Sequence, residues 1–254
     1  MNKLADDQAL RGIELEGPTN FRDLGGIRTR AGVTRRGVVY RSDRLSNLTA
    51  ADGERLRQLR IATIIDMRIE DERERAPNRL PESVDAQQIS HPFLPRHTLP
   101  MFEAINSGAC DPAAAHETMI RQYEALTLDH AEDYGRIIEN LLEPGKVPAI
   151  VHCTSGKDRT GMVAAIILLA IGTPRAAVIA DYAMTQGRIE KVEYFEDGAD
   201  PDVVEVVMAA KPAYIGASFA AMESRFGSVE SYLREAVGLT PPVRRQLRAL
   251  LVDT

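Results

Sequence analysis

Cys153 stands in a short segment whose residue types and spacing suit chemistry on a phosphate group. It follows the apolar run 148–151 and His152, and Arg159 comes after it in the segment Cys-Thr-Ser-Gly-Lys-Asp-Arg. A cysteine thiolate is a strong nucleophile, and a guanidinium can bind two oxygens of one anion in parallel. The pattern therefore favours attack of sulfur on the phosphorus of a phosphate ester.

The residues around Cys153 predict the elements that hold it in place. The run before it is short and apolar, as buried strands are, and residues 162–170 form an apolar run that ends before Gly172, as a buried helix does. The loop between them leads into a helix N-terminus, where backbone N–H groups and the helix dipole favour anions. Gly156 allows this loop to curl closely. Because the N–H groups and the helix N-terminus would then surround the thiol and lower its pKa, we expect Cys153 to be a thiolate near neutral pH.

Two motifs resemble those of a known family. HCTSGKDRTG at 152–161 resembles the signature loop of cysteine-dependent protein tyrosine phosphatases. NFRDLGG at 20–26, followed by VYRS at 39–42, resembles the amino-terminal motif of the bacterial tyrosine phosphatase-like members. The resemblance implies a cysteine-phosphatase-like fold and hydrolysis of phosphotyrosine in proteins, often with relaxed specificity towards phosphoserine, phosphothreonine or phosphoinositides. Residues 20–26 are expected to brace the phosphate loop from beneath, through Arg22 and Asp23.

The resemblance also implies a role for each residue of the loop. Cys153 would be the nucleophile, Arg159 would clamp the phosphate, and the Thr160 hydroxyl would hydrogen-bond the thiolate and help it leave the phosphoenzyme. The loop that binds substrate phosphate, or a free phosphate or sulfate, comprises Thr154, Ser155, Gly156, Lys157 and Asp158, together with Arg159. No metal or other cofactor is expected, because the loop and Arg159 supply the charge that a metal would provide.

The general acid is less clear from the sequence. The chain contains no tryptophan, so the Trp-Pro-Asp loop of the larger tyrosine phosphatases is absent. We expect Asp66 to be the acid, because it ends a predicted strand whose carboxyl end should meet that of the Cys153 strand. An ion pair with Arg68 or Arg41 is the simpler interpretation of Asp66. Asp158 is the alternative acid, although the cations of the loop favour its ionised form.

Other polar residues have structural interpretations beside functional ones. His152 lacks the spaced partners of a metal site and is expected to fix the loop. Lys157 is expected to face the mouth of the site, where it would bind a second phosphate or attract anions in general. The charge-dense run 68–75 is expected to form a solvated helix face. Cys110 is interpreted as a surface thiol, with a reversible disulfide to Cys153 as the alternative.

Composition limits the class of protein. The 254 residues carry a net charge of −6, with 44% hydrophobic and 27% charged residues, as in soluble globular proteins without general affinity for nucleic acids. The 2 cysteines form no disulfide framework, which favours a reducing compartment. The first 17 residues lack an apolar signal core, and no stretch is long and apolar enough to predict a transmembrane segment. We therefore expect a cytoplasmic protein, although secretion without a cleaved signal would leave no trace in the sequence.

The predicted elements indicate an α/β fold. Strands are predicted at 37–41, 62–67, 84–92 and 148–152, and helices near 116–126, 130–143 and 162–170. Because strands fall within the first 152 residues and alternate with helices, we expect a central sheet flanked by helices and a helical carboxyl-terminal part, 173–254. We expect one phosphatase domain, 1–254, with 93–143 as a candidate lid and helices and its first part, 93–112, irregular.

Other functions on a similar loop remain as alternatives. A non-catalytic pseudophosphatase would hold phosphorylated partners without turnover, but Cys153 and Arg159 are both present. Sulfur transfer does not need an arginine that clamps a dianion, and arsenate reduction needs resolving thiols that 2 cysteines barely provide. We therefore predict a phosphate-monoester hydrolase, a protein tyrosine phosphatase of dual or broad specificity that acts through a cysteinyl phosphate. Phosphoinositides are the alternative substrate class.

Overall fold

The computed structural model describes residues 11–189 and 192–253. The expectation that residues 1–17 contain no signal sequence therefore falls mostly outside the described residues. The strands are β1 (Arg22–Asp23), β2 (Val33–Thr34), β3 (Val39–Ser42), β4 (Thr63–Asp66), β5 (Gln87–Ser90), β6 (Ala149–His152) and β7 (Val252–Asp253). The helices are α1 (Ala50–Gln58), α2 (Glu70–Arg75), α3 (Thr98–Asn106), α4 (Pro112–Asp129), α5 (Ala131–Leu142), α6 (Asp158–Ala170), α7 (Arg175–Ala183), α8 (Pro201–Met208), α9 (Pro212–Phe226), α10 (Val229–Glu235) and α11 (Pro241–Leu251).

A five-stranded sheet in the order β1-β3-β6-β4-β5 lies at the centre of the fold. The strands β3, β6, β4 and β5 run parallel, and β1 pairs antiparallel with β3. Ser42 and Asp66 flank His152, so the carboxyl ends of three strands meet at one edge. Parallel α/β sheets bind ligands at this edge, and Cys153 follows His152 there.

The two faces of the sheet are covered by separate hydrophobic clusters. Side chains alternate along the strands, so Val151 and Ile65 join the larger cluster, while Ile150 and Ile64 join the smaller one. The larger cluster is filled by helices that follow β5 in the chain, with α6 buried over nearly its whole length. The structure confirms the predicted α/β class, with a central sheet flanked by helices.

Two local features differ from the sequence-based expectation. The stretch 93–112 is not irregular throughout, because α3 occupies 98–106. Pro100 stands in the first turn of that helix, where a missing N–H costs no intrahelical hydrogen bond. Strands are also not confined to the first 152 residues, since β7 pairs antiparallel with β2. Both strands have two residues, too short to leave a periodic hydrophobic pattern.

Among the described helices, none is by itself long and apolar enough to cross a membrane. The helices α8 and α9, bent by 52° at the break between them, together satisfy the criteria of length and composition. Both helices contribute buried residues to the larger hydrophobic cluster.

Candidate active site

The loop from Cys153 to Lys157 joins the end of β6 to the first turn of α6. Cys153 is 2% exposed and therefore lies at the base of the loop. Gly156 has a φ of +67°, and a Cβ atom there would stand 2.6 Å from the carbonyl oxygen of Ser42. Only glycine satisfies both conditions without strain, which explains its place in the motif.

Three consecutive carbonyl groups of the loop are held by residues outside it. The Thr154 oxygen accepts from the Arg44 amide at 3.0 Å, and the Ser155 oxygen accepts from Nδ2 of Asn20 at 3.1 Å. The Gly156 oxygen accepts from Nη2 of Arg41 at 2.8 Å. Because C=O and N–H point in opposite directions across a trans peptide, the amides that follow these carbonyls are turned towards the other side of the loop. This arrangement makes an anion-binding loop.

A buried cluster of three arginines and one aspartate supports the loop from below. Asp181 of α7 accepts from Arg11 at 2.8 Å, Arg22 at 3.4 Å and Arg41 at 2.6 Å. Burial alone would raise the pKa of Asp181, but the three arginines outweigh it and hold that pKa far below its usual range. Arg22 does not contact the loop directly; it donates to Asn20, whose Nδ2 binds the Ser155 carbonyl, and to Asp181. Asp23 does not contact the loop, since its carboxylate accepts from the amides of Gly25 and Gly37.

Arg159 is oriented by a buried glutamate. Its Nη1 and Nη2 donate to Oε2 and Oε1 of Glu72 at 2.7 and 2.5 Å, and Nη1 also donates to the carbonyls of Met67 and Phe93. Burial opposes ionisation of Glu72, but the hydrogen bonds from Arg159 outweigh it and lower the pKa of the carboxyl. Among the described residues no partner is found for Nε of Arg159, so that edge of the guanidinium remains available to an anion.

The sequence does not identify Glu72, because the composition of the run 68–75 predicts a solvated helix face. That expectation is wrong for two of its residues: Arg68 is 1% and Glu72 is 6% exposed. Glu72 also accepts from the Thr154 hydroxyl at 2.5 Å, which ties it to the loop. The sequence offers one indication of this role, which is the position of the run. It follows a strand that ends at the same edge of the sheet as Cys153.

Asp66 ends its strand as predicted, but its carboxylate is occupied. Arg68 donates to both of its oxygens, at 3.0 Å to Oδ1 and 2.7 Å to Oδ2, and Asn78 adds a contact at 3.3 Å. Burial would raise the pKa of Asp66, but His152 and Arg68 outweigh it and lower that pKa. Asp66 also does not line the cavity beside the loop. The geometry therefore counts against Asp66 as the general acid and matches the simpler interpretation, an ion pair with Arg68.

Asp158 lies in the first turn of α6 and lines the cavity. Its Oδ1 accepts from the hydroxyl of Tyr123 at 2.7 Å and lies 3.4 Å from Nζ of Lys157. Its side chain is 22% exposed, so the carboxylate is within reach of a bound molecule. The structure thus brings Asp158, rather than Asp66, into the cavity with Arg159.

Lys157 does not extend from the mouth of the site as expected. The residue is 2% exposed, and its Nζ donates to the carbonyl oxygen of Val207 at the end of α8. The ammonium also lies 5.9 Å from the centre of the Tyr214 ring. Burial lowers the pKa of Lys157, although Asp158 acts in the opposite direction. The expected orientation is wrong because α8 and α9 cover a position that the loop sequence alone leaves open.

His152 and Thr160 are buried next to the cysteine. Nδ1 of His152 lies 3.2 Å from the carbonyl oxygen of Cys153, and burial lowers the pKa of this histidine to about 4. The ring is therefore neutral at physiological pH. The Thr160 hydroxyl has no hydrogen-bond partner in the described part of the chain, which leaves it free for the contact with sulfur that the family resemblance implies. Cys110 and Cys153 are both free thiols.

The cavity beside the loop combines a polar floor with an apolar wall. The floor includes Thr154, Ser155, Asp158 and Arg159. The wall comes from α3, α4, the segment before α3 and the segment between α7 and α8, and includes Leu94, Pro95, Met101, Phe102, Met119 and Tyr194. Such a cavity can hold a phosphate against the loop and a hydrophobic group above it.

Comparison with known proteins gives a matching family model, named relatives and a solved structure. The family model described as "Tyrosine phosphatase family" matches residues 13–253. A relative from Mycobacterium tuberculosis, "Triple specificity protein phosphatase PtpB", is 27% identical over 287 residues, covering 94% of this chain and 98% of the relative. A "Tyrosine-protein phosphatase" of Nostoc commune is 25% identical, covering 84% of this chain and 74% of the relative. A solved structure, the core catalytic domain of a PP-IP phosphatase from S. cerevisiae in complex with citrate, covers 77% of this chain and 88% of its own at 15% identity, with a TM-score of 0.39.

Proposed function

The chain belongs to the tyrosine phosphatase family and is a cysteine-dependent phosphatase, and we propose that Cys153, Arg159 and Asp158 carry out its reaction. The observation that supports this assignment is their arrangement around one cavity. Cys153 lies at the base of a loop whose carbonyls are held outside, Arg159 is fixed by Glu72, and Asp158 lines the same cavity.

The first step transfers the phosphoryl group to the enzyme. The thiolate of Cys153 forms a bond to phosphorus while the bond between phosphorus and the leaving oxygen breaks. Loop amides and Arg159 stabilise the equatorial oxygens, and Asp158 donates its proton to the leaving oxygen. The cysteinyl phosphate then reacts with water. Asp158, now a carboxylate, accepts a proton from that water, and the thiolate of Cys153 leaves with the Thr160 hydroxyl as hydrogen-bond donor.

The substrate proposed here is phosphotyrosine in a protein. The apolar wall suits the ring of an aryl phosphate, and the name of the mycobacterial relative, a triple specificity protein phosphatase, supports a range wider than one amino acid. A polyphosphorylated lipid headgroup has less support. Arg159 is needed for the reacting phosphate, and the other cation among the described lining residues, Lys157, is engaged by the Val207 carbonyl.

Replacing the nucleophile tests the proposal. Cys153→Ser should abolish turnover of a phosphotyrosine peptide and retain its binding, because the loop amides and Arg159 remain. Rapid quenching of the unmodified enzyme should trap phosphate on residue 153, detectable by mass spectrometry. Measurable hydrolysis by a clean Cys153→Ser preparation would contradict the covalent mechanism. Binding without turnover by the unmodified chain, on a panel of aryl and alkyl phosphates, would instead support the pseudophosphatase.

A further inference from the structure

Two buried tyrosines from different helices meet at the carboxylate of Asp158. Tyr123 of α4 is 0% exposed and Tyr182 of α7 is 1% exposed. Their hydroxyl oxygens are 2.6 Å apart, and that of Tyr123 donates to Oδ1 of Asp158 at 2.7 Å. Each hydroxyl has a single proton. Since Tyr123 gives its proton to Asp158, the contact between the tyrosines must be a donation from Tyr182 to Tyr123.

Within the described part of the chain, the contacts of the Asp158 carboxylate fall on one oxygen. Oδ1 accepts from Tyr123 and lies 3.4 Å from Nζ of Lys157, while Oδ2 has no partner among the described residues. An acid with one oxygen fixed has its other oxygen directed away from that contact. Because Oδ1 can accept from Tyr123 whether or not Oδ2 carries a proton, the contact persists through both steps of the reaction.

The position of Tyr182 is fixed by its neighbours. A Cβ atom on Gly161 would lie 3.2 Å from Cδ2 of Tyr182, so the glycine after Thr160 in the signature loop makes room for this ring. Asp181, the residue before Tyr182, is held by Arg41, which also binds the Gly156 carbonyl. Arg41 therefore links α7, the helix that carries Tyr182, to the phosphate loop.

We propose that Tyr123 and Tyr182 are positioning residues that hold Oδ1 of Asp158, so that Oδ2 presents the proton to the leaving oxygen. The proposal rests on the assignment of Asp158 as the general acid. Burial raises the pKa of Tyr123 well above 10, which keeps its hydroxyl protonated over the working range of the enzyme. This contact comes from outside the signature loop, because Tyr123 lies 35 residues before Asp158. The loop sequence alone therefore does not predict it.

The test compares isosteric variants by the rate of phosphoenzyme formation in single turnovers. The substrates are 4-nitrophenyl phosphate, with an activated leaving group, and phenyl phosphate, with a poor one. Tyr123→Phe should slow phenyl phosphate by about 10-fold, the value of one hydrogen bond to a charged group, and leave 4-nitrophenyl phosphate and both KM values nearly unchanged. Tyr182→Phe should act in the same direction and less strongly, because it works through Tyr123.

Tyr134→Phe is the matched control. Tyr134 is also 0% exposed, and its hydroxyl donates to the Leu126 carbonyl at 2.8 Å, away from the cavity. This variant should change neither substrate. Thermal unfolding of each variant separates local from global effects. If Tyr123→Phe does not fold, Tyr182→Phe carries the test with the same substrates.

Measuring Asp158→Asn beside these variants separates the two proposals. If Asp158→Asn slows phenyl phosphate selectively and Tyr123→Phe slows both substrates equally or neither, the positioning role is wrong and the acid assignment stands. If Asp158→Asn shows no leaving-group dependence, both are wrong. A double variant, Tyr123→Phe with Asp158→Asn, should be no slower than Asp158→Asn alone, because the tyrosine acts through the carboxylate.

Discussion

Arg159 and Glu72 form two parallel hydrogen bonds at 2.5 and 2.7 Å, although 87 residues separate them in the chain. Such a fork fixes the plane of the guanidinium as well as its position. Because both terminal nitrogens are held by Glu72, the Nε edge keeps one orientation. Glu72 therefore sets the geometry in which Arg159 meets a phosphate.

Glu72→Gln should lower kcat/KM for a phosphotyrosine peptide by about 10- to 100-fold, as the loss of a supporting hydrogen-bond partner does at other sites. The amide can accept from only one guanidinium nitrogen, so the plane of Arg159 is no longer fixed. Steady-state kinetics measures the change. Glu74→Gln, at an exposed position of the same helix, is the control and should behave as the unmodified enzyme. Full activity of Glu72→Gln, with Arg159→Lys inactive, would show that Arg159 orients itself without Glu72.

Glu72 also illustrates what the sequence could and could not predict. The loop from His152 to Gly161 was recognisable because its residues are contiguous and lie between a strand-like and a helix-like run. Glu72 lies in a run of alternating charges that has the composition of a solvated helix. It becomes a buried partner of Arg159 only because the parallel sheet brings the end of β4 next to the end of β6.

The same distinction holds for the fold. The strands β4 and β6 are predictable because short apolar runs mark buried parallel strands. The position of α8 over Lys157 had no local signal. It depends on how the carboxyl-terminal helices pack against α4, which no single segment of the sequence encodes.

Lys157→Met should reduce activity on a phosphotyrosine peptide and on a phosphoinositide by similar factors, within about 3-fold of each other. The reason is that the ammonium is directed to the Val207 carbonyl and to Asp158, so it is not free to bind a second phosphate. The same preparation should be assayed on both substrates. Lys211→Met is a control, since that lysine lies 6.0 Å from the same Tyr214 ring but is not in the loop. A selective loss on the phosphoinositide would restore the role first expected for Lys157.

His152 should make the free energy of unfolding fall as the pH is lowered from about 6.5 to about 4. Burial lowers the pKa of His152 from 6.5 to about 4, so the unfolded chain binds a proton in this range and the folded chain does not. Stability is therefore complete above pH 6.5 and decreases by about 2–3 kcal/mol towards pH 4. The pKa values of Asp66 and Glu72 are also lowered, so their contributions persist to lower pH before they are lost.

Urea unfolding at a series of pH values measures the effect of His152. His152→Gln should flatten the dependence between pH 6.5 and pH 4, whereas His97→Gln, at the start of α3, should leave it unchanged. An unaltered slope in His152→Gln would mean that other groups cause the loss of stability in this range.

Asp66 and Asp158 should respond differently when each is replaced by asparagine. Asp66→Asn leaves Arg68, 1% exposed, without its counter-charge, so we expect a loss of stability of about 3 kcal/mol and an activity loss equal for all leaving groups. Asp158→Asn should remain folded and lose about 100- to 10,000-fold on alkyl and phenyl phosphates, with little change on 4-nitrophenyl phosphate, because only poor leaving groups need the proton. Urea unfolding and single-turnover rates on the three substrates measure the two effects. A leaving-group dependence in Asp66→Asn, together with a uniform loss in Asp158→Asn, would return the role of general acid to Asp66.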